Sequence, residues 1–209
     1  MISRTPYAPM RPKTRIPPLD RYSGPLPKGW HWQVKLDDER GIVQVHSDGS
    51  VELFNRHWDP LASNKAAVFR DAAATLPARF PGETIFDVAL LGFRGVFVRG
   101  GIVLLDIPSD LSWAARRIRM LASGEIHVWD PLVPVACDPP SPLASRLALA
   151  APVDLVSVLP DIRCDSDAAV REFFLRTKDA PGIEGLIGRD PAAPHQSGDS
   201  DRMVKIRWK

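Results

Sequence analysis

The run from Thr84 to Pro108, TIFDVALLGFRGVFVRGGIVLLDIP, limits the choice of fold more than any other stretch. It is apolar almost throughout, and glycines break it into pieces of strand length. It therefore reads as a pair or triple of buried strands. Such strands need neighbours, because each carries a row of backbone donors and acceptors that must be paired once water is excluded. GIVQVH alternates, SDG turns and SVELFNR alternates again, which predicts a hairpin from Gly41 to Arg56. Short strands are also expected at IEGLIGR, from Ile183, and at MVKIRW, from Met203.

Three helical segments interrupt the strands. NKAAVFRDAAATL, from Asn64 to Leu76, offers Asn64 as N-cap and Pro77 as its stop. SDLSWAARRIRMLA, from Ser109, is amphipathic, with Arg116, Arg117 and Arg119 expected on its solvated side. SDAAVREFFLRTKDAPG begins a third helix near Ser166, and residues 130–142 read as a proline-rich loop. Helices and strands interleave without regular βαβ spacing, so the expected class is α+β, with antiparallel sheets flanked by helices.

At 209 residues and 44% hydrophobic content the chain can bury a core as one domain, or as one domain with an arm. Net charge is only +2. Before Trp30, however, Arg4, Arg11, Lys13, Arg15, Arg21 and Lys28 face the single acid Asp20 among recurring prolines. Residues 1–28 are expected to form an extended basic arm, and residues 29–209 the folded domain. Cys137 and Cys164 have no partner at metal-ligand spacing, which argues against zinc. No apolar run is long enough for a bilayer, and the N-terminus lacks the apolar stretch of a signal peptide, so a cytoplasmic protein without a membrane partner is expected. His31, His46, His57, His127 and His195 are scattered and read as surface or turn residues.

The charged residues most in need of explanation lie in WHWQVKLDDERGIVQVH, from Trp30. In an extended segment Lys35 and Asp37 share a face while Leu36 points inward, and Arg40 follows where the next strand begins. Taken alone, this is an ordinary charged hairpin edge.

Its order with further segments changes the reading. Lys35-Leu36-Asp37-Asp38-Glu39-Arg40 resembles the K-x-D-G-x-R nucleophile motif of covalent nucleotidyltransferases, the superfamily of ATP-dependent DNA ligases, RNA ligases and capping enzymes. LFNRH is similar to the second element, with Arg56 as its arginine. TIFDVALLG and GIVLLDIP resemble the third element and the strand after it. IEGLIGR is similar to E-G-hydrophobic-hydrophobic-x-Lys, and DRMVKIRWK to the terminal K-x-K strand. The resemblance runs from about Trp30 to the last residue and is nearest to ATP-dependent DNA ligases. It implies an ATP-grasp-like nucleotidyltransferase domain.

The resemblance also implies chemistry. Lys35 attacks the α-phosphorus of ATP and carries AMP, which is covalent catalysis. An ordinary lysine, with a pKa of about 10.4, is protonated at neutral pH, so nearby cations must make it less basic. Lys205, Arg207 and Mg²⁺ are the implied cations, with Glu184 holding the metal. Gln33, Asp37, Arg40, Arg56, Leu105 and Ile187 are the implied nucleotide-side residues. Arg40 would contact ribose or a substrate phosphate, Asp37 would orient the site, and Arg56 would reach the ribose or the 5′-phosphate of a nick.

Several positions depart from the family pattern. Asp38 replaces a glycine, Ala89 replaces the glutamate of D-G-E, and Leu105 stands where an aromatic commonly stacks on adenine. Gln33 stands where a glutamate often precedes the nucleophile by two, and Arg189 and Arg207 replace lysines. An OB-fold usually follows the K-x-K strand in this family; none is expected within this sequence, so a second polypeptide supplying one is an expected partner beside nicked double-stranded DNA or RNA. Three functions fit: a DNA ligase, an RNA ligase or other nucleotidyltransferase, and a nucleotide- or nucleic-acid-binding relative without turnover.

Overall fold

The computed structural model describes residues 7–91, 100–122, 127–128, 156–180 and 182–208. The expected loop at 130–142, Cys137 and most of GFRGVFVRGG lie outside the described residues.

Two sheets form the framework. The first has the order β1-β11-β10-β2-β9: β1 (Met10–Ile16), β11 (Gly198–Arg207), β10 (Ile183–Arg189), β2 (Trp30–Leu36) and β9 (Ile162–Cys164). The second has the order β4-β3-β5-β6-β8-β7: β4 (Val51–Asn55), β3 (Glu39–Val45), β5 (Thr84–Leu91), β6 (Gly101–Asp106), β8 (Val156–Val158) and β7 (His127–Val128). Pairing is antiparallel through the middle of both sheets. The parallel pairs, β1–β11, β6–β8 and β7–β8, lie toward one edge of each sheet. Helices α1 (Ser63–Ala73), α2 (Leu76–Arg79), α3 (Trp113–Ala122) and α4 (Asp167–Thr177) flank them. The class is α+β, as the sequence predicts.

Alternation decides which face of the first sheet is dry. Trp32, Val34 and Leu36 on β2, Leu186 on β10, and Val204 and Ile206 on β11 join Val170, Phe173 and Phe174 of α4 in one buried cluster. Full burial of each large apolar side chain is worth about 1.5–3 kcal/mol. Gly188 makes room for the largest of them, because a Cβ there would lie 2.9 Å from the Trp32 ring. Ser166 caps α4, its hydroxyl accepting from the Ala169 N–H at 3.2 Å. The second sheet turns Val43, Val45, Phe86, Val88, Leu90, Ile102 and Leu104 toward Phe69, Ala72 and Leu76 and toward Trp113 and Met120 of α3.

Four expectations change. Residues 10–16 do not hang free as an arm: they pair with β11 over 198–206, and Leu19 and Leu26 behind them are buried. Asn64 is not the cap of α1, whose N-cap is Ala62 without a side-chain hydrogen bond, and Pro77 sits in the first turn of α2. Arg116 and Arg117 are buried, at 1% and 6% exposure, while Ile118 on the same helix is 67% exposed. The His195 side chain is buried against Asp106 and the Ala8 carbonyl. For residues 10–16, Arg116, Arg117 and His195, a polar partner elsewhere in the chain outweighs the local pattern.

No helix among the described residues is long and apolar enough to cross a membrane.

Candidate active site

Strand register assembles the site. Gly185 of β10 lies opposite Lys35 on β2 and Arg207 on β11, while Ile187 lies opposite Gln33 and Lys205. Directly opposed residues share a face. Gln33, Lys35, Ile187, Lys205 and Arg207 therefore project from the face away from Trp32 and α4. On the far side of β11, Arg15 lies opposite Lys205 and extends the row.

A β-bulge between Ile183 and Gly185 leaves Glu184 without an opposite number on β2. The bulge brings its carboxylate to the lysine face. Oε1 accepts a hydrogen bond from Lys35 Nζ, and Oε2 accepts one from Arg207 Nη2. Burial works against ionisation of Glu184, but the hydrogen bonds and charges of Lys35 and Arg207 outweigh it and hold the carboxyl below its usual range. Lys205 is held below the usual lysine range by burial first, then by the charges of Arg207, Lys35 and Arg15.

The floor and one end of this face are apolar and dry. Ile187 packs with Met10 and Met203. Gln33 is 3% exposed, and its side-chain Nε2 has no hydrogen-bond partner. A buried amide donor left unpaired costs about 1–3 kcal/mol, so this end is chemically ready for an acceptor. Gly185 keeps the space between Lys35 and Arg207 free of a side chain, since a Cβ would collide with the Ile206 carbonyl oxygen.

The second sheet supplies the opposite wall. Arg40 donates from Nε to Asp87 Oδ1 at 2.7 Å, from Nη2 to Asp87 Oδ2, and from Nη2 to the Met10 carbonyl at 2.8 Å. The last contact ties β3 to β1 across the two sheets. Asp38, in the turn before β3, is half-buried and interacts with the charges of Lys35, Arg40 and Asp87. Burial pushes its carboxyl up to about 6, against the downward pull of Lys35 and Arg40. Asp87 lies opposite Asp106. Asp106 accepts from Arg116 Nε at 2.7 Å and Nη2 at 3.2 Å, with His195 Nδ1 at 3.4 Å and Arg189 Nη1 at 3.8 Å. Burial works against the Asp106 charge, yet His195, Arg189 and Arg116 together lower its pKa to about 2. The Arg189 guanidinium lies 4.4 Å from the centre of the Trp113 ring.

The structure thus brings Gln33, Lys35, Ile187, Lys205, Arg207 and Glu184 onto one face, with Arg40 on the facing sheet. It does not bring in all of the sequence-derived candidates. Asp37 is exposed and engages Gly182 only through its backbone N–H, because β2 ends at Leu36 and the alternation stops there. Asp38 takes the inward position instead. Arg56 is exposed at the end of the edge strand β4, donating to His57 Nε2 at 2.9 Å. Leu105 is the extra residue of a bulge in β6, half-buried against the main apolar cluster. Ala89 is fully buried in that cluster with Val103. Arg189 belongs to the Asp106 ion cluster, not to the surroundings of Lys35. Among the described residues no group of three or more His, Cys, Asp and Glu could hold a metal, so Glu184 is a lone candidate ligand.

Sequence reasoning passed over Asp38 and Arg15. Two consecutive acids after Lys35 were the available sign for the first. Nothing local marks the second, which depends on pairing between strands far apart in the chain.

No protein-family model matches the sequence, and no curated protein does. Solved structures do match. The ligase domain of LigD from M. tuberculosis superposes with a TM-score of 0.61 at 16% identity, covering 96% of this chain and 59% of that one. This is the fold of a DNA ligase nucleotidyltransferase domain. The same ligase fold is found in the ATP-dependent DNA ligase of bacteriophage T7 in complex with ATP, at a TM-score of 0.57, 14% identity, 96% of this chain and 68% of that one. Chlorella virus DNA ligase-adenylate gives a TM-score of 0.54 at 12% identity, again covering 96% of this chain and 68% of that one. The chain therefore spans 59% of the LigD ligase domain.

Proposed function

We propose that this chain is the adenylation domain of an ATP-dependent polynucleotide ligase, with Lys35 as nucleophile. One observation carries the reading: the Lys35 amine lies against Glu184 and beside Arg207 and Lys205, on the face of a ligase-like sheet that also holds the unpaired Gln33 amide. The base end of the nucleotide would lie toward Gln33 and Ile187, where a buried donor awaits an acceptor and the floor is apolar.

In the proposed first step the Lys35 nitrogen, having given up its proton to solvent, forms a bond to the α-phosphorus. The bond from that phosphorus to the bridging oxygen breaks, and pyrophosphate leaves. Lys205 and Arg207 favour the neutral amine and stabilise the added negative charge on the phosphoryl oxygens. The Glu184 contact fixes the Lys35 side chain but favours its charged form, so the carboxylate must yield the amine when the triphosphate enters. AMP then passes to a 5′-phosphate, and a 3′-hydroxyl displaces it to seal the strand, with nicked double-stranded DNA the favoured substrate over nicked RNA.

Magnesium fits the same reading. Mg²⁺ is commonly held by one or two carboxylates together with substrate phosphates, and Glu184 is the carboxylate suited to that position. The ion would neutralise phosphate charge.

Intact-mass measurement after incubation with ATP and Mg²⁺ tests the proposal. A gain of one AMP, absent in Lys35→Ala, is expected; no gain would overturn it. A second reading, a nucleotide-binding relative without turnover, is favoured by the occupation of Arg40 by Asp87 and the Met10 carbonyl. It predicts ATP binding with no mass gain.

A further inference from the structure

The charge on the lysine face is unbalanced. Arg207, Lys35 and Arg15 all lie close enough to Lys205 to act on its charge. The one carboxylate of this group, Glu184, is divided between Lys35 and Arg207. Asp199, which also acts on Lys205, is paired with Arg11 at 3.1 Å, and Asp38 faces Lys35 from the other sheet rather than Lys205 or Arg15. Among the described residues, the side chains of Lys205 and Arg15 make no hydrogen bond or ion pair.

Register gives this excess charge a direction. Gln33, Ile187, Lys205 and Arg15 form one row of opposed residues across β2, β10, β11 and β1. Three inter-strand spacings of about 4.8 Å separate its ends, or about 14 Å. That is the span of an extended nucleoside triphosphate. With the base toward Gln33 and the α-phosphate toward Lys35 in the adjacent row, the tail of the nucleotide runs outward over β11 to β1.

We propose that Arg15, one strand beyond Lys205, forms the polyphosphate end of the nucleotide site and binds the β- and γ-phosphates. The first strand is thereby part of the site. This inference rests on the ATP reading above and adds a residue that no element of the sequence resemblance contains. Arg15 is exposed on the lysine face, while its neighbour Ile16 points into the core opposite Ile206. An arginine suits the position because its planar fork can bridge two phosphate oxygens.

Calorimetric titration of the full chain with ATP, AMP and inorganic tripolyphosphate tests the proposal. Arg15→Ala is expected to weaken ATP and tripolyphosphate about tenfold, the loss of one charge-assisted contact, and to leave AMP unchanged. Arg15→Lys should recover part of the loss. Lys13→Ala removes the same charge from the same strand, outside the row, and should change none of the three affinities appreciably. An unaltered melting temperature for Arg15→Ala would establish that the fold is intact. Equal ATP affinity in wild type and Arg15→Ala would overturn the inference alone. So would an Arg15→Ala loss confined to nicked duplex DNA, which would make the residue a nucleic-acid phosphate contact. Failure of the wild type to bind either ATP or tripolyphosphate would overturn this inference and the function together. Arg15-dependent tripolyphosphate binding without AMP transfer would leave the inference standing and remove the adenylation reading.

Discussion

Lys35 donates to Glu184 from a strand that precedes it by 149 residues, and only the bulge in β10 lets that carboxylate reach the lysine face. Glu184 is the common acceptor for Lys35 and Arg207. Replacing it by Gln keeps the shape and removes the charge shared by the two cations. The expected loss is about 2 kcal/mol, less than for a fully buried pair because Lys35 is 27% exposed. Urea denaturation at neutral pH measures it; an unchanged midpoint would mean the contact is not stabilising.

Asp38 gives the pH dependence a distinctive sign. Its folded pKa of about 6 lies above the unfolded value of 3.8. Between those values the native state holds more protons than the unfolded chain, so this residue lowers stability as pH rises through the window and leaves it lowered above pH 6. Asp38→Asn should therefore stabilise the protein at pH 7 by up to about 3 kcal/mol, with the gain fading toward pH 4. Thermal melts of both proteins across pH 4 to 8 check this, and parallel curves would refute the assignment.

Asp106 has the opposite sign. Its pKa is lowered to about 2, so its contribution is present above 3.8 and is lost as pH falls toward 2. Its partner Arg116 is buried and bound to it. Arg116→Ala should cost about 3–5 kcal/mol by leaving a buried carboxylate uncompensated. Arg119, on the same helix but exposed, should tolerate Ala within about 0.5 kcal/mol. Chemical denaturation of the two variants separates a structural arginine from a solvated one.

Ala89 stands where the resemblance calls for a glutamate, but it is packed with Val103 in the apolar cluster, opposite Arg40 in the strand ladder. Ala89→Glu is expected to destabilise by a few kcal/mol through a poorly paired buried carboxylate. A variant as stable as the wild type that gains faster AMP transfer would show that the position still opens toward nucleotide.

The proposed mechanism makes Lys205 a rate determinant. Lys205→Ala should slow AMP addition at least tenfold while changing melting behaviour little, since its side chain has no partner among the described residues. Quenched time courses followed by mass give the rate; wild-type kinetics would exclude the residue from the chemistry.

Local chemistry made part of this molecule readable before its coordinates. IEGLIGR is strand β10 residue for residue, the Gly41–Arg56 hairpin pairs as its alternation requires, and Ser166 caps α4 as a serine before an apolar periodic run should. The resemblance of their strands to a motif series pointed to Lys35, Glu184, Lys205 and Arg207, and the sheet gathers these four on one face. What stayed hidden depends on distance along the chain. Arg116 and Arg117 look like a solvated stripe until Asp106, Leu159 and Asp161 arrive from other elements to bury them. The basic N-terminal segment looks unstructured because its partner strand comes almost two hundred residues later. Asp38 looks like a turn residue because nothing in the turn itself reveals that Arg40 and Asp87 face it.

The parallel seam between β1 and β11 has a consequence for how the molecule comes into being. Strand β2 emerges early in synthesis, yet Glu184, Lys205 and Arg207, which flank its lysine across the sheet, are made near the end. Until β10 and β11 are in place, the amine has none of these three neighbours. In the proposed mechanism, AMP transfer to residue 35 would thus serve as a built-in report that the whole sheet has zipped shut.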